Sequence, residues 1–360
     1  MWNWFLDLIG CRCWTVDPPS MALLTEMAGC LGICCVLNLL LAVLARSGVG
    51  AAAQLPIWLG YLALPPYVAT TSLPITGAAL VLWIGVWKAV DIQMGTAETF
   101  NTLPSLALHF MSPVEHRLDA KGNAETAAPF EWARHLRSLL LKYSGLAVLC
   151  SLRRSHEYWL RYTGGEVQLG PITARLDLYL YLHVWLVYCF LSLVCDGFSL
   201  ALSLLGLRPK TMFRSPLIAS YSPRDFWSRR WNLLIHGLFK RTVFRPLLAQ
   251  GCPAPLASLL AFIVSGIFHE YAWGFVCWPH VGYHFLFFAC QAPIVCAQAV
   301  IADSLGARDW TPGPLAHALG VVGSSLVLIP FAPLFMQPLI IGGTVDAWHQ
   351  LVPMLRAVPP

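Results

Sequence analysis

Apolar runs of about twenty residues, the length a helix needs to cross the hydrocarbon core of a bilayer, recur along most of this 360-residue chain. By that ruler, spans fall near 21–45, 52–70, 73–91, 177–206, 254–276, 281–302 and 314–342. A further stretch, "RSLLLKYSGLAVLCSL" at 137–152, carries Arg137 and Lys142 and fits a short or tilted helix packed against protein. In lipid every backbone polar group must find its partner inside the chain, so runs of this length fold as helices. The expected fold is all-α: a polytopic integral membrane protein with about seven to nine transmembrane helices around a buried cavity. Only 11% of the residues are charged, against about 25% in a soluble domain. That favours one membrane domain over 1–360 rather than two soluble ones.

The remaining composition narrows the class. Fifteen Trp and eleven Tyr suit the aromatic belts at membrane interfaces. Residues 1–20 lack a basic start and a long apolar centre, and read as an interfacial segment rather than a cleavable signal. Cys30, Cys34, Cys35, Cys150, Cys189, Cys195, Cys290 and Cys296 lie inside apolar runs, where Cys acts as a small hydrophobe. Cys11 and Cys13 form a CxC with no second pair at ligand spacing, so no metal site is expected.

The net charge of +5 is concentrated: nine Lys and Arg crowd between Arg208 and Arg245. Basic loops stay on the cytosolic side, so 208–245 is expected there. The gap 277–282, free of Lys and Arg, is placed in the lumen, and 303–313, with Arg308, back in the cytosol. The charge thus reads as topology and not as affinity for nucleic acid. The polar interval 92–131 reads as a surface loop.

Within the basic segment, "SYSPRDFWSRRWNLLIHGLFKRTVFRP" carries a helix signature. Ser222 fits the N-cap, Pro223 the first helical position, and Asp225 the acidic first turn. Taken as one amphipathic helix, it places Asp225, Arg229, Asn232 and His236 on one face, with Asp225 paired to Arg229 at helical spacing. Trp227, Trp231 and Leu234 fall together on another side. The plainest reading of such a helix is an interfacial one that snorkels its cations toward anionic lipid. A second feature argues for more. In "AFIVSGIFHEYAWGF", 261–275, His269 and Glu270 stand in the middle of an apolar span. A central charge there costs about 2.5–3.5 kcal/mol on insertion scales, so such groups face an interior cavity. Ser265 and Gly266, one turn earlier, leave room beside His269. Glu270 diverges from His269 by about 100° on a helix and is assigned a structural hydrogen bond. Asp196, also inside a span, either lines the cavity or pairs with an Arg.

"DFWSRRWN", followed 37 residues after Asn232 by the His of "SGIFHEY", resembles the membrane-bound O-acyltransferase superfamily, and most closely its wax-synthase-like branch. The resemblance covers roughly 208–276, the catalytic-motif region. It implies that Asn232 and His269 are the catalytic pair, and that acyl-CoA and a lipid alcohol meet in an endoplasmic reticulum membrane. A fatty alcohol, giving a wax ester, is favoured; a terpenoid or sterol hydroxyl is the alternative, including acetyl transfer.

That chemistry needs a base for the hydroxyl, a donor for the thioester oxyanion, and exclusion of water. Neutral imidazole suits the first, so His269 is the expected general base. Asn232 suits the second, such a donor being worth about 3 kcal/mol of barrier. With no GxSxG-type nucleophile in the sequence, direct transfer in a ternary complex is expected. Asp225, Trp227, Arg229, Arg230, Trp231 and Ser265 are the candidate substrate contacts. Arg224, Arg229, Arg230, Lys240, Arg241 and Arg245 are candidates for the CoA phosphates. No cofactor beyond acyl-CoA as co-substrate is expected. The spans at 177–206 and 281–302 should supply apolar walls. A transporter with buried His, Glu and Asp is the rival class, but inverted halves with matched broken helices are not visible in the sequence.

Overall fold

The structure, a computed structural model, describes residues 14–155, 164–169, 172–276, 280–306 and 312–357. Cys11, Cys13 and most of the expected interfacial segment lie outside the described residues, as do Arg308 and residues 277–279 of the gap expected in the lumen. In chain order the elements are β1 (Trp14–Asp17), α1 (Met21–Arg46), α2 (Ala51–Leu62), α3 (Pro65–Val68), α4 (Ser72–Gln93), α5 (Leu103–Met111) and α6 (Glu131–Ser155). The β2 and β3 hairpin follows (Gly164–Leu169, Ile172–Asp177), then α7 (Leu178–Leu204), α8 (Pro216–Ala219), α9 (Pro223–Asp225), α10 (Leu233–Phe239) and α11 (Arg245–Ala249). The chain continues with α12 (Ala254–Gly274), α13 (Tyr283–Ser304), α14 (Pro314–Leu328), α15 (Ala332–Ile341), α16 (Thr344–His349) and β4 (Met354–Ala357), which pairs antiparallel with β1.

Among the described residues six helical spans are long and apolar enough to cross a membrane: 21–46, 72–93, 182–204, 254–274, 283–304 and 314–341. The last bends where Pro330 sits in a single 3₁₀ turn between α14 and α15, as the missing proline N–H requires. The expected span at 52–70 is instead two short helices. Pro65 and Pro66 end α2, because neither has an N–H to continue its hydrogen-bond ladder, while both fit the first turn of α3. The pieces still run the length of α1. At one end Gln54 donates to the carbonyls of Leu44 (3.0 Å) and Val49 (2.6 Å). At the other, the Glu26 carboxylate accepts from the backbone N–H groups of Thr70 (2.6 Å) and Thr71 (3.0 Å).

The weak candidate at 137–152 is the centre of α6, which lies antiparallel to α7. Lys142 meets Asp196 at 2.5 Å and Ser138 donates to the same carboxylate at 2.7 Å. Asp196 thus pairs with a Lys, and it lines neither of the cavities described below. Near the far end of the same pair, Arg153 donates to His183 (3.0 Å) and to Asp346 (2.6 Å). Glu131 with Arg134, Lys142 with Asp196, Arg153 with Asp346 and Arg154 with Asp17 are matched pairs on or beside these two helices.

The interval 92–131 is more than a surface loop. It contains α5, and its second half is zipped to the chain leaving α7. Arg117 N–H donates to Arg208 O (2.8 Å), Arg208 N–H to Glu125 O (3.0 Å), and Lys210 N–H to Glu115 O (2.7 Å). Lys210 also bridges Glu98 (2.8 Å) and Glu115 (2.9 Å), while Arg241 reaches Asp91 (2.7 Å). Burial alone would raise the Glu115 carboxyl, but His109, Lys210, Lys88 and Arg241 around it outweigh that and hold it well below the usual carboxylate range. Four of the nine clustered cations, Arg208, Lys210, Arg230 and Arg241, are therefore neutralised by carboxylates within the fold.

Nine of the twelve cysteines fall in described residues and all nine are free thiols. Cys30 and Cys34 pack in the α1–α4 core, and Cys150 and Cys189 in the larger core around Phe190, Phe268 and Trp348.

Candidate active site

The segment 220–246 does not form one amphipathic helix. Ser222 does cap it, its Oγ accepting from Asp225 N–H at 3.1 Å. After α9, however, residues Phe226–Arg230 widen into a π-helical turn, Trp231 turns extended, and Asn232 takes a left-handed backbone (φ 38°, ψ 64°). That conformation costs a non-glycine residue about 1–2 kcal/mol, and Asn bears it better than most. Asn232 then caps α10, with Oδ1 facing Ile235 N–H at 3.5 Å. A second π-helical turn, Lys240–Phe244, follows α10. Such turns concentrate at functional sites.

Breaking the helix redistributes its faces. Asp225 pairs with Arg230, not with Arg229. Trp231 stacks on Phe226 (centroids 5.2 Å apart, planes 19°), whereas Trp227 turns into a nest of Phe262, Phe287 and Phe288. Leu234 joins a separate core with Val114, Leu202 and Met212. The expected grouping of Trp227, Trp231 and Leu234 on one side is thereby undone.

His269 arrives by a simpler route, on the regular helix α12. Its ring stacks on Phe288 of α13 (4.2 Å) and meets Phe335 of α15 edge-on (5.5 Å). Its Nδ1 lies 2.6 Å from the Ser265 carbonyl one turn back. A carbonyl can only accept, so the proton sits on Nδ1 and the Nε2 lone pair is left free. Gly266 does not make room for substrate, because a Cβ there would lie 3.0 Å from Phe285 Cα; the glycine lets α12 and α13 close on each other. Glu270 accepts from Phe285 N–H at 2.7 Å, satisfying an orphan donor in the first turn of α13. Its role is the structural one expected.

Two cavities meet at this point. One is apolar, about 130 Å³, walled by Val184, Val187 and Leu191 of α7, Phe287 of α13, and Leu328 and Met336 of the bent span. The other, about 490 Å³, is lined at its polar end by Arg224, Ser228, Arg229, His236 and Lys240 and runs past Ser258 and Ser265. Trp227, Trp231, Asn232, His269 and Phe288 line both. The Trp227 indole is held in this shared wall by donating to Gln291 (3.2 Å). Asn232 Nδ2 and His269 Nε2 have no protein partner among the described residues. Burial, with Lys240 adding to it, pulls His236 down to about 4, so it is neutral near pH 7.

The candidate contacts sort accordingly. Asn232, His269, Trp227 and Trp231 come together, with Arg229 and Ser265 on the larger cavity. Asp225 and Arg230 line neither cavity. Arg241 is committed to Asp91, and Arg245 lies off the site. Arg224, Arg229 and Lys240 line the larger cavity with no carboxylate partner among the described residues; Arg229 touches only the Tyr221 hydroxyl (3.4 Å). Phe288 and Gln291 went unread in the sequence, since an apolar span gives no sign of which phenylalanine or amide turns inward.

The same segment stands out in comparison with known proteins. Residues 209–290 match the profile of the membrane bound O-acyl transferase family. The chain is 24% identical over 302 residues to a long-chain-alcohol O-fatty-acyltransferase of Simmondsia chinensis, covering 77% of this chain and 79% of that one. Over 76 residues it is 41% identical to an acyl-CoA–sterol O-acyltransferase of Arabidopsis thaliana, covering 19% of this chain and 21% of the other. A diacylglycerol O-acyltransferase of Corylus americana is 32% identical over 116 residues, 32% of this chain and 21% of its own length.

Proposed function

We propose that this chain is a membrane-bound O-acyltransferase of the wax-synthase-like branch and that it esterifies a long-chain fatty alcohol from acyl-CoA, with His269 as general base and Asn232 as oxyanion donor. One observation carries the reading: Asn232 and His269, each with a free polar atom, stand where an apolar chamber and a basic-mouthed cavity share a wall. The apolar chamber suits the alcohol. The larger cavity suits the donor, its phosphates held by Arg224, Arg229 and Lys240 and its thioester reaching the shared wall.

The alcohol O–H proton passes to His269 Nε2 as the oxygen attacks the thioester carbon. The resulting oxyanion accepts a hydrogen bond from Asn232 Nδ2, a contact worth about 3 kcal/mol of barrier. Collapse breaks the C–S bond, and protonated His269 returns the proton to the departing CoA thiolate. The Nδ1–Ser265 hydrogen bond fixes the tautomer through both steps, and the aromatic nest of Phe288, Phe335 and Trp227 keeps water from competing with the alcohol. The whole chain acts as one catalytic membrane domain, 208–245 faces the cytosol, and the membrane is the endoplasmic reticulum's. A sterol or terpenoid hydroxyl is the second reading, favoured by the 41% identity over 76 residues to a sterol acyltransferase.

Membranes containing the protein, given labelled palmitoyl-CoA and acetyl-CoA with a panel of hexadecanol, a sterol and a terpenoid alcohol, test this. We expect palmitoyl-CoA and hexadecanol to give the highest kcat/KM. A sterol or terpenoid ester as main product transfers the assignment to the second reading, and no ester from any pair removes it.

A further inference from the structure

Asn232 can aim its amide at the shared wall only while its backbone stays left-handed, so something must hold that turn. The residues around it are tied down on both sides. Arg214 N–H donates to Arg230 O (3.0 Å), Trp231 N–H to Phe226 O (2.9 Å), and Leu233 N–H to Met212 O (2.9 Å). One side chain links these ties. The Arg230 guanidinium donates through Nε to the Asp225 carboxylate at the start of the turn, and through Nη1 to the Arg214 carbonyl (3.2 Å) on the strap behind it. Asp225 is 3% exposed. A carboxylate buried to that degree needs a fixed cationic partner, and the planar guanidinium reaches its two acceptors from two separate nitrogens held in a rigid fork, a geometry the single Nζ of a lysine does not reproduce.

We propose that Asp225 and Arg230 are positioning residues for Asn232, and that Arg230 is not a ligand for the donor's phosphates. The pair spans the π-helical turn, from the residue that precedes it to its last residue, and anchors it to Arg214. With the pair intact, the chain leaves the turn extended at Trp231 and enters α10 through Asn232 with its amide facing the cavities. With the pair broken, the turn is free to relax toward an ordinary helix, which carries the amide away. This inference rests on Asn232 being the oxyanion donor.

The test is a mutant cycle in the full-length protein in membranes, with kcat and KM measured for palmitoyl-CoA and hexadecanol. Arg230→Lys keeps the charge but offers one nitrogen in place of the separate Nε and Nη1 that make the two contacts. It should lower kcat by about tenfold or more, as misplacement of a catalytic group does, and leave the KM for palmitoyl-CoA within about twofold. In an Asn232→Ala background the same substitution should cost nothing further, because the group it positions is already gone. If Arg230→Lys does not accumulate as folded protein, the neutral pair Asp225→Asn with Arg230→Gln, which retains a hydrogen bond without a buried charge, carries the same cycle. A raised KM for palmitoyl-CoA at unchanged kcat makes Arg230 an anion ligand and overturns the proposal. Equal losses in both backgrounds reduce the pair to a fold-stability role and overturn it too. Full activity of Asn232→Ala alone removes the oxyanion-donor reading and this inference with it.

Discussion

The two catalytic candidates reach one site by opposite means. His269 rides on an unbroken helix, α12, where its direction follows from helical geometry and its tautomer from a carbonyl one turn back. Asn232 stands at a fracture between a π-helical turn and a short helix, in a backbone conformation that residues distant in sequence must enforce. Packing holds the base, whereas a mesh of hydrogen bonds and one ion pair holds the donor. The helix-borne site should therefore tolerate changes around it, and the fracture-borne one should be sensitive to its neighbours.

The largest expected effect is at the helix-borne residue. His269→Ala removes the base and should lower kcat by about 10²–10⁴-fold while the protein still accumulates in membranes, since the ring fills a cavity wall rather than a sealed core. Retention of more than a few per cent of turnover would show that another group takes the proton.

At the fracture, Asn232→Gly and Asn232→Ala separate backbone from amide. Glycine takes the left-handed conformation without strain, so it keeps the turn and loses the donor together with a long, weak cap contact; we expect about 10²–10³-fold in kcat. Alanine loses both, and should show the same kcat deficit together with a lower melting temperature. If glycine is as active as wild type, the residue is a turn former and nothing more.

A smaller effect belongs to the mouth of the larger cavity. Arg229→Ala should raise the KM for acyl-CoA by a few-fold, as expected for one partly exposed charge–phosphate contact, with the KM for the alcohol unchanged. The increase should shrink at high salt. Equal shifts in both constants would show that Arg229 does not face the donor.

The smallest effect is on stability. His236 is held near 4 in the fold, below its ordinary value, so the unfolded chain binds its proton first. Stability should then rise with pH between about 4 and 6.5 and be lost as pH falls through that window. The melting temperature in detergent should drop from pH 7 to pH 5, and His236→Gln should flatten that slope. A slope unchanged by the substitution assigns the acid sensitivity elsewhere, with His116, pulled below its ordinary value by burial and by Lys88 and Lys210, as the next place to look.

The contrast also explains what the sequence could disclose. Apolar length announced the spans, and an ionisable pair inside one of them announced His269. Ser222 capped the segment as its type and spacing implied. Helical periodicity, extended from Asp225 through His236, then erred for a physical reason. The period assumes an unbroken helix, and the break at Asn232 is set by Met212 and Arg214, which no local pattern connects to it. The same blindness paired Asp225 with Arg229, because i,i+4 spacing favours that pair on a regular helix while a π-helical turn brings round Arg230. The zipper between 115–127 and 206–210, and the buried Lys88 that donates to the carbonyls of His109 and Ser112, are likewise contacts between distant segments. Pro65 and Pro66 were local signals strong enough to divide the second span.

The most direct measurement is a cryo-EM structure of the protein with a non-hydrolysable thioether analogue of palmitoyl-CoA. We expect the analogue's sulfur at the wall shared by the two cavities, with Asn232 and His269 on either side of it and the adenosine phosphates beside Arg224, Arg229 and Lys240. The chamber lined by Val184, Leu191 and Met336 should stay open for the alcohol. An analogue whose phosphates lie away from those cations, or whose sulfur lies beyond the reach of both Asn232 and His269, would contradict a reaction at the meeting of the two cavities.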